Sequence, residues 1–309
     1  MKTAFLFPGQ GAQTVGMGAD LYYSSDIYKN TFDQCSEACG LNLKAACFEG
    51  AKMDESETVQ PAIFTHSMSL LSILRTYGIY ADVYAGLSLG EYSALCAADA
   101  FGHETGAALV RQRGSLMDSA LLKGEGGMLA ITGFTAGQIE KSILAAYPNV
   151  YIANHLSKQQ LVLSGYKAQL IEIKQALAKE GACMASLLNV SGPIHSTLLL
   201  GAAKAFEKEL SLYEFKGLNS LVYSNSLGSP YEAASNIKAL LCEQMYSRVR
   251  WHECMEHMYS MGITRFVEIG PSNVLTKLVK RGFKDAQAIS VFDLASLEAF
   301  IRQSGEAVA

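Results

Sequence analysis

The stretch Gly86-Leu87-Ser88-Leu89-Gly90-Glu91 constrains this chain more than any other. An apolar, strand-like run (Tyr80, Ala81, Val83, Tyr84, Ala85) precedes it, and a helix-forming run from Tyr92 to Asp99 follows. A serine between two glycines at a strand-to-helix turn is a nucleophile elbow: the glycines permit the sharp turn, and the turn exposes the hydroxyl. With 27 glycines in 309 residues such a pattern also arises by chance, so the flanking strand and helix carry the reading. They predict that Ser88 is acylated during turnover, with the amides of the first helical turn aimed at the developing oxyanion. The competing reading is a tight glycine turn with a solvated serine.

The length suits one large domain with an insertion, or two domains. Half of the residues are hydrophobic, 17% are charged and the net charge is -4, which excludes a disordered chain and a broad basic surface for nucleic acid. The first apolar run, Ala4 to Phe7, ends at Pro8-Gly9 and is too short for a signal peptide, and no run is long enough for a membrane span. The seven cysteines (Cys35, Cys39, Cys47, Cys96, Cys183, Cys242, Cys254) are odd in number and lack metal-ligand spacing, which predicts thiols in a reducing cytoplasm.

Taken in order, residues 4–7 read as a buried strand leading into the turn-rich loop Pro8-Gly9-Gln10-Gly11-Ala12-Gln13. Helical pattern runs from Asp20 to about Cys47. A long helix opens at Gln60-Pro61 and continues to about Tyr77, proline fitting the first turn. After the elbow, a helix from about Glu104 to Leu121 carries Arg111 and Arg113, two residues apart, so at most one of them faces the site. Between Gly124 and Val190 the order becomes strand (127–133), helix (135–147), strand (150–155), strand (160–164), helix (166–181), strand (183–190), the ferredoxin-like split arrangement. Beyond it come a helix from Leu198 to about Leu212, a strand at 221–224, helices at 234–246 and 251–261, and a strand at 264–269 ending at Gly270-Pro271. Strands separated by such helices predict a mainly parallel sheet. The expected organisation is a large α/β domain over 1–123 and 191–309, with a small inserted domain over 124–190.

A serine hydroxyl needs a neighbouring base. Of the six histidines, His66, His103, His252 and His257 lie in or at the starts of helices and His155 ends a strand. His195 alone sits in a turn, Ser191-Gly192-Pro193-Ile194-His195-Ser196, where a scaffold can aim it; a surface histidine is the alternative.

Phe7-Pro8-Gly9-Gln10-Gly11-Ala12-Gln13, Gly86 to Tyr92, Arg113-Gly114, Val190 to Ser196, Glu243-Gln244-Met245 and Glu268-Ile269-Gly270-Pro271 occur in this order. The ordered set resembles the malonyl-CoA:acyl carrier protein transacylase family and the acyltransferase domains of polyketide synthases. The resemblance implies a hydrolase-like α/β domain with a ferredoxin-like insertion, and ping-pong transfer of a malonyl group from malonyl-CoA to the phosphopantetheine thiol of acyl carrier protein. It implies that Ser88 attacks the thioester and that His195 takes its proton, oriented by a backbone carbonyl; Asp118 stays open as a third triad member. Gln10 and Leu89 would supply the oxyanion hole. Arg113 would clamp the acyl carboxylate, Gln244 would frame the site, and Asn154 and Asn225 match weaker family positions. CoA is then a substrate and no bound cofactor, metal, nucleic acid or membrane is implied; the carrier protein would dock on basic residues such as Lys277, Lys280 and Arg281.

Departures from the family pattern bear on the acyl group. Leu87 stands where many relatives carry histidine, Ile194 where relatives carry Phe or Ser, and His155-Leu156-Ser157-Lys158 follows Asn154 in place of the usual pattern. Two rivals remain, an acyl hydrolase and a non-catalytic carrier-protein binding module. Arg113 argues against a hydrolase for neutral acyl chains, because an unpaired buried cation is strongly unfavourable. Retention of both Ser88 and His195 argues against the binding module. The motifs read alike for fatty-acid and trans-acting polyketide enzymes.

Overall fold

The computed structural model describes residues 1–121, 124–179, 184–188, 190, 192–233 and 235–305. In chain order the strands are β1 (Lys2–Phe7), β2 (Val83–Gly86), β3 (Gly126–Thr132), β4 (Val150–Ser157), β5 (Gln160–Tyr166), β6 (Ala185–Leu187), β7 (Leu221–Ser224), β8 (Ser229–Pro230), β9 (Ile263–Ile269) and β10 (Gln287–Val291). The helices are α1 (Ala19–Ser24), α2 (Asp26–Cys39), α3 (Leu43–Glu49), α4 (Ser56–Thr76), α5 (Gly90–Ala97), α6 (His103–Asp118), α7 (Ala136–Ile139), α8 (Lys167–Lys179), α9 (Leu200–Ser211), α10 (Ile237–Tyr246), α11 (Trp251–Ser260), α12 (Val274–Gly282) and α13 (Leu294–Gln303). They form two compact units, one from residues 1–114, 213–223 and 257 onward, the other from 115–212 and 224–256.

The sheet of the first unit runs β10-β9-β1-β2-β7, with every neighbouring pair parallel. β1 is buried from Thr3 through Phe7, which is why it reads as an unbroken apolar run rather than an alternating one. Phe7 pairs with Gly86, so the loops after β1 and β2 leave the same edge of the sheet side by side. Leu87 N donates to Phe7 O at 3.0 Å and holds the two loops together.

α4 is buried at every position from Thr58 to Leu71. It starts at Ser56, one turn before the Gln60-Pro61 opening read from the sequence, so Pro61 lies inside the helix. Proline removes one helical hydrogen bond there, but the first turn is held by packing: a Cβ on Gly114 of α6 would come within 2.3 Å of Ser56 O.

Past Pro271 the chain adds a helix, an edge strand and a helix that local patterning did not mark out. Glu268, at the end of β9, organises this segment: its carboxylate accepts from Ser272 Oγ at 2.6 Å and from Thr276 N and Oγ1 at 2.8 Å, capping the start of α12. α13 opens with a reciprocal cap between Asp293 and Ser296.

The second unit contains a four-stranded antiparallel sheet, β4-β5-β3-β6. This is the ferredoxin-like order that the strand-helix-strand-strand-helix-strand succession predicts. Leu129 and Ile131 of β3 and Leu161 and Leu163 of β5 point to one core face, where Leu170 and Ile173 of α8 cover them. The expected helix over 135–147 is a single capped α turn, α7, followed by a π turn at Glu140–Leu144. The final strand spans only 185–187, and Cys183 at its expected start lies outside the described residues. α10 starts at Ile237 because the Asn236 side chain caps Ala239 N at 3.1 Å; Ala234, its expected start, also lies outside the described residues. Among the described residues no helix is long and apolar enough to cross a membrane.

Candidate active site

Ser88 follows β2 by two residues and precedes α5 by two, in the left-handed region at φ 53. A non-glycine residue held there costs about 1–3 kcal/mol, and such strain gathers at functional sites. Among the described residues four non-glycines have positive φ, and two of them are Ser88 and His195. Both glycines of the elbow are required by space. A Cβ on Gly86 would lie 1.9 Å from the carbonyl of Gly90, and one on Gly90 would lie 2.0 Å from Phe7 O. Gly9 meets the same limit from the β1 loop, 2.5 Å from Leu87 O. Sequence patterning finds the elbow; only these contacts explain why each of its glycines is needed.

Arg113 is 1% exposed, and it stands beside the elbow. Its Nη2 donates to Ser88 Oγ at 3.1 Å and its Nη1 to Gln60 Oε1 at 2.8 Å, with the guanidinium 5.4 Å from the centre of the Tyr92 ring. Burial pulls its pKa below the ordinary arginine range, while Tyr92 and Glu91 act in the opposite direction. Arg111 points elsewhere: it pairs with Glu57 at 2.9 Å and with Cys39 O at 2.8 Å, half exposed. The i, i+2 spacing on α6 thus separates the two arginines. Gln60 was read from the sequence only as part of the Gln60-Pro61 helix opening and not as a site residue, since a single glutamine there carries no pattern of its own.

In the second unit His195 is 2% exposed at φ 62. Its backbone N donates to Met245 O at 3.2 Å, and its Nδ1 lies 2.6 Å from Gln244 O. A carbonyl can only accept, so Nδ1 carries a proton and the basic nitrogen of the neutral ring is Nε2. The carbonyl occupies the Nδ1 position that a triad carboxylate such as Asp118 would need. α10 therefore serves the histidine with main-chain groups, and the Gln244 side chain, 1% exposed, is buried beside them. Gly126 of β3 lets Pro193 approach, since a Cβ there would come within 2.3 Å of the proline ring. The antiparallel sheet thereby seats the turn that carries His195.

The remaining expected residues fall as follows. Gln10 is half buried on the loop after β1, and Leu89 is buried immediately before α5, whose first three amides bond to Leu87 O, Ser88 O and Leu89 O. Leu87 is partly exposed and Ile194 is 7% exposed. Asn154 is half buried on β4, bridged to Val249, and Asn225 is fully buried with its carbonyl accepting from Arg250 N at 2.9 Å. The arrangement offers a strained serine with a cation at its oxygen, and a histidine held in one tautomer.

Residues 4–305 match the model of the acyl transferase domain. The malonyl CoA-acyl carrier protein transacylase of Bacillus subtilis is 39% identical over 307 residues, covering 97% of this chain and 96% of the relative. The polyketide biosynthesis malonyl CoA-acyl carrier protein transacylase of Bacillus velezensis is 36% identical, covering 92% and 98%. The crystal structure of the Clostridium perfringens malonyl CoA-acyl carrier protein transacylase aligns with a TM-score of 0.93 at 36% identity, covering 99% of this chain and 98% of that one. With an elbow serine, a buried arginine and a carbonyl-oriented histidine in place, and with that match running almost end to end, the chain belongs to the acyl transferase domain family.

Proposed function

We propose that the protein is a malonyl-CoA:acyl carrier protein S-malonyltransferase that works by a ping-pong mechanism. The observation that carries the substrate assignment is the buried guanidinium of Arg113, 3.1 Å from Ser88 Oγ. A fixed cation at that distance from the nucleophile suits an acyl group that ends in a carboxylate and disfavours an apolar one.

In the first half-reaction Ser88 Oγ attacks the thioester carbonyl while His195 Nε2 takes its proton. The tetrahedral oxyanion is met by the backbone amides of Gln10 and Leu89, and collapse expels the CoA thiol with the proton returned from His195. In the second half-reaction His195 takes the proton of the phosphopantetheine thiol, whose sulfur attacks the malonyl-Ser88 ester and regenerates the serine. Arg113 pairs with the malonyl carboxylate throughout. Gln244, Leu87, Ile194 and Asn154 shape the acyl pocket, the apolar Leu87 and Ile194 limiting substituents on the malonyl carbon.

The protein acts in the cytoplasm, in keeping with free thiols at Cys35, Cys39, Cys47, Cys96, Cys242 and Cys254. Its small domain is the insertion 124–190, within large-domain segments 1–123 and 191–309. The acidic carrier protein docks on Lys277, Lys280 and Arg281, an exposed i, i+3, i+4 set on α12. That carrier belongs to fatty-acid or polyketide synthesis, since relatives of both kinds match over almost the full chain.

The test is intact-protein mass spectrometry after brief mixing with malonyl-CoA, acetyl-CoA and methylmalonyl-CoA in competition. The proposal requires a malonyl adduct that is absent in Ser88→Ala and discharges onto a carrier protein. An adduct lost to water as fast as to the carrier would make the protein a hydrolase.

A further inference from the structure

His155 opens the stretch that departs from the family pattern, and in the second unit it grips the chain beyond α10 at two points. Its backbone N donates to Val249 O at 2.9 Å, and Val249 N donates to Ala153 O at 2.8 Å, so residues 153–155 of β4 straddle Val249. Its ring Nδ1 lies 3.2 Å from Glu253 Oε1 on α11, and the side chain is 13% exposed. A carboxylate only accepts, so Nδ1 donates. Burial of Glu253 acts against its charge, and the hydrogen bond from His155 is the largest of the effects that hold its carboxyl below the ordinary range. The other charged or titratable groups at this spot are Arg250, 3.9 Å from Glu253 Oε1, His252, whose ring meets that of His155 edge to face at 4.8 Å, Glu256, 3.3 Å from His252 Nε2, and the exposed Lys158.

Five residues before Val249 the same chain supplies the Gln244 carbonyl that accepts from His195 Nδ1, and the next carbonyl, of Met245, accepts from His195 N. Both belong to the last turn of α10. Carbonyls of a last turn have no helical donor to fix them, so their direction follows the path of the chain that leaves the helix. We propose that the His155–Glu253 hydrogen bond positions the Gln244 carbonyl at His195: β4 and α11 together hold the chain just past α10, and the acceptor of Nδ1 is held with it. His155 and Glu253 are then positioning residues that act through main chain. The inference rests on the transfer reading above, in which His195 is the base, and adds to it the pair that sets the strength of that base. A carbonyl at Nδ1 stabilises the protonated ring more than the neutral one, so loosening it weakens the base.

The experiment follows Ser88 loading by malonyl-CoA against pH, with a melting curve for every variant. His155→Phe keeps a ring and loses the donor, His155→Asn keeps a donor near the place of Nδ1, and Glu253→Ala removes the acceptor. His155→Phe and Glu253→Ala are each expected to move the acidic limb of kcat/KM to lower pH by about half a unit, with a plateau about threefold lower, and His155→Asn to retain the parent profile. The double variant of His155→Phe and Glu253→Ala is expected to shift no further than either single one. Nitrogen NMR of the His195 ring, its signal assigned through His195→Ala, is expected to show the same shift without turnover. A limb and a ring titration that stay at the parent pH in a folded His155→Phe or Glu253→Ala protein would overturn the inference and leave the pair as packing, even if the melting temperature falls. If His155→Phe does not fold, Glu253→Ala carries the test alone. Failure of the parent protein to be acylated by malonyl-CoA would instead overturn the transfer reading, while the ring titration still decides the positioning role.

Discussion

Arg113 Nη2 donates to Ser88 Oγ at 3.1 Å, which sets a buried guanidinium at the hydroxyl of the elbow serine. If the proposed malonyl transfer holds, this cation is the partner of the acyl carboxylate. Arg113→Ala should therefore reduce kcat/KM for malonyl-CoA by about 10–150-fold, the range of one charged hydrogen bond, while sparing or improving acetyl-CoA. Equal losses on both substrates would make Arg113 structural.

His195 is held by main-chain carbonyls rather than a carboxylate. His195→Ala should lower transfer by several orders of magnitude, as removal of a base from a nucleophile-base pair does. Single-turnover loading of Ser88 is the direct measurement, and near-normal loading would place the base elsewhere.

Gly86→Ala sets a methyl group 1.9 Å from the Gly90 carbonyl, which is backbone and has no rotamer to yield. The elbow has to open, and destabilisation of about 1–3 kcal/mol or more follows. Chemical denaturation should show it as a lower midpoint with an unchanged slope; an unchanged midpoint would mean that the elbow relaxes freely.

His66 is fully buried with its Nδ1 2.5 Å from the Tyr28 hydroxyl, and burial pulls its pKa down to about 4 from an ordinary 6.5. The folded protein keeps the ring neutral where the unfolded chain takes up a proton, so stability is retained above pH 6.5 and lost as the pH falls from 6.5 toward 4. The loss amounts to about 3 kcal/mol at 1.36 kcal/mol per pH unit. Urea midpoints at pH 7 and pH 4.5, compared between the parent protein and His66→Gln, isolate this group from the carboxylates. Parallel pH dependences in the two proteins would contradict it.

Reversing charge at Lys277, Lys280 and Arg281 on α12 should raise KM for an acidic carrier protein by about tenfold, most strongly at low ionic strength. A carrier KM that does not move would put the docking surface on another face.

The chemistry of the chain was legible in sequence wherever it depends on local backbone form. A glycine-flanked serine between strand and helix, a histidine after Gly-Pro, and alternation of strands with helices all follow from short-range steric rules, and the split order of strands within 124–190 does too. What lay beyond that reading depends on pairs far apart in the chain. The first turn of α4 packs at Ser56 against Gly114, 58 residues away, and the tautomer of His195 is set by a carbonyl 49 residues on. Of Arg111 and Arg113, helical spacing predicts only that they diverge; their partners, Glu57 in one case and Ser88 with Gln60 in the other, decide which stands at the elbow serine. Local sequence determined which residues can react, because reactivity needs particular side chains at particular turns. Tertiary structure alone decided which arginine stands at the serine and which nitrogen of His195 carries the proton, because both depend on partners that packing brings in from distant parts of the chain.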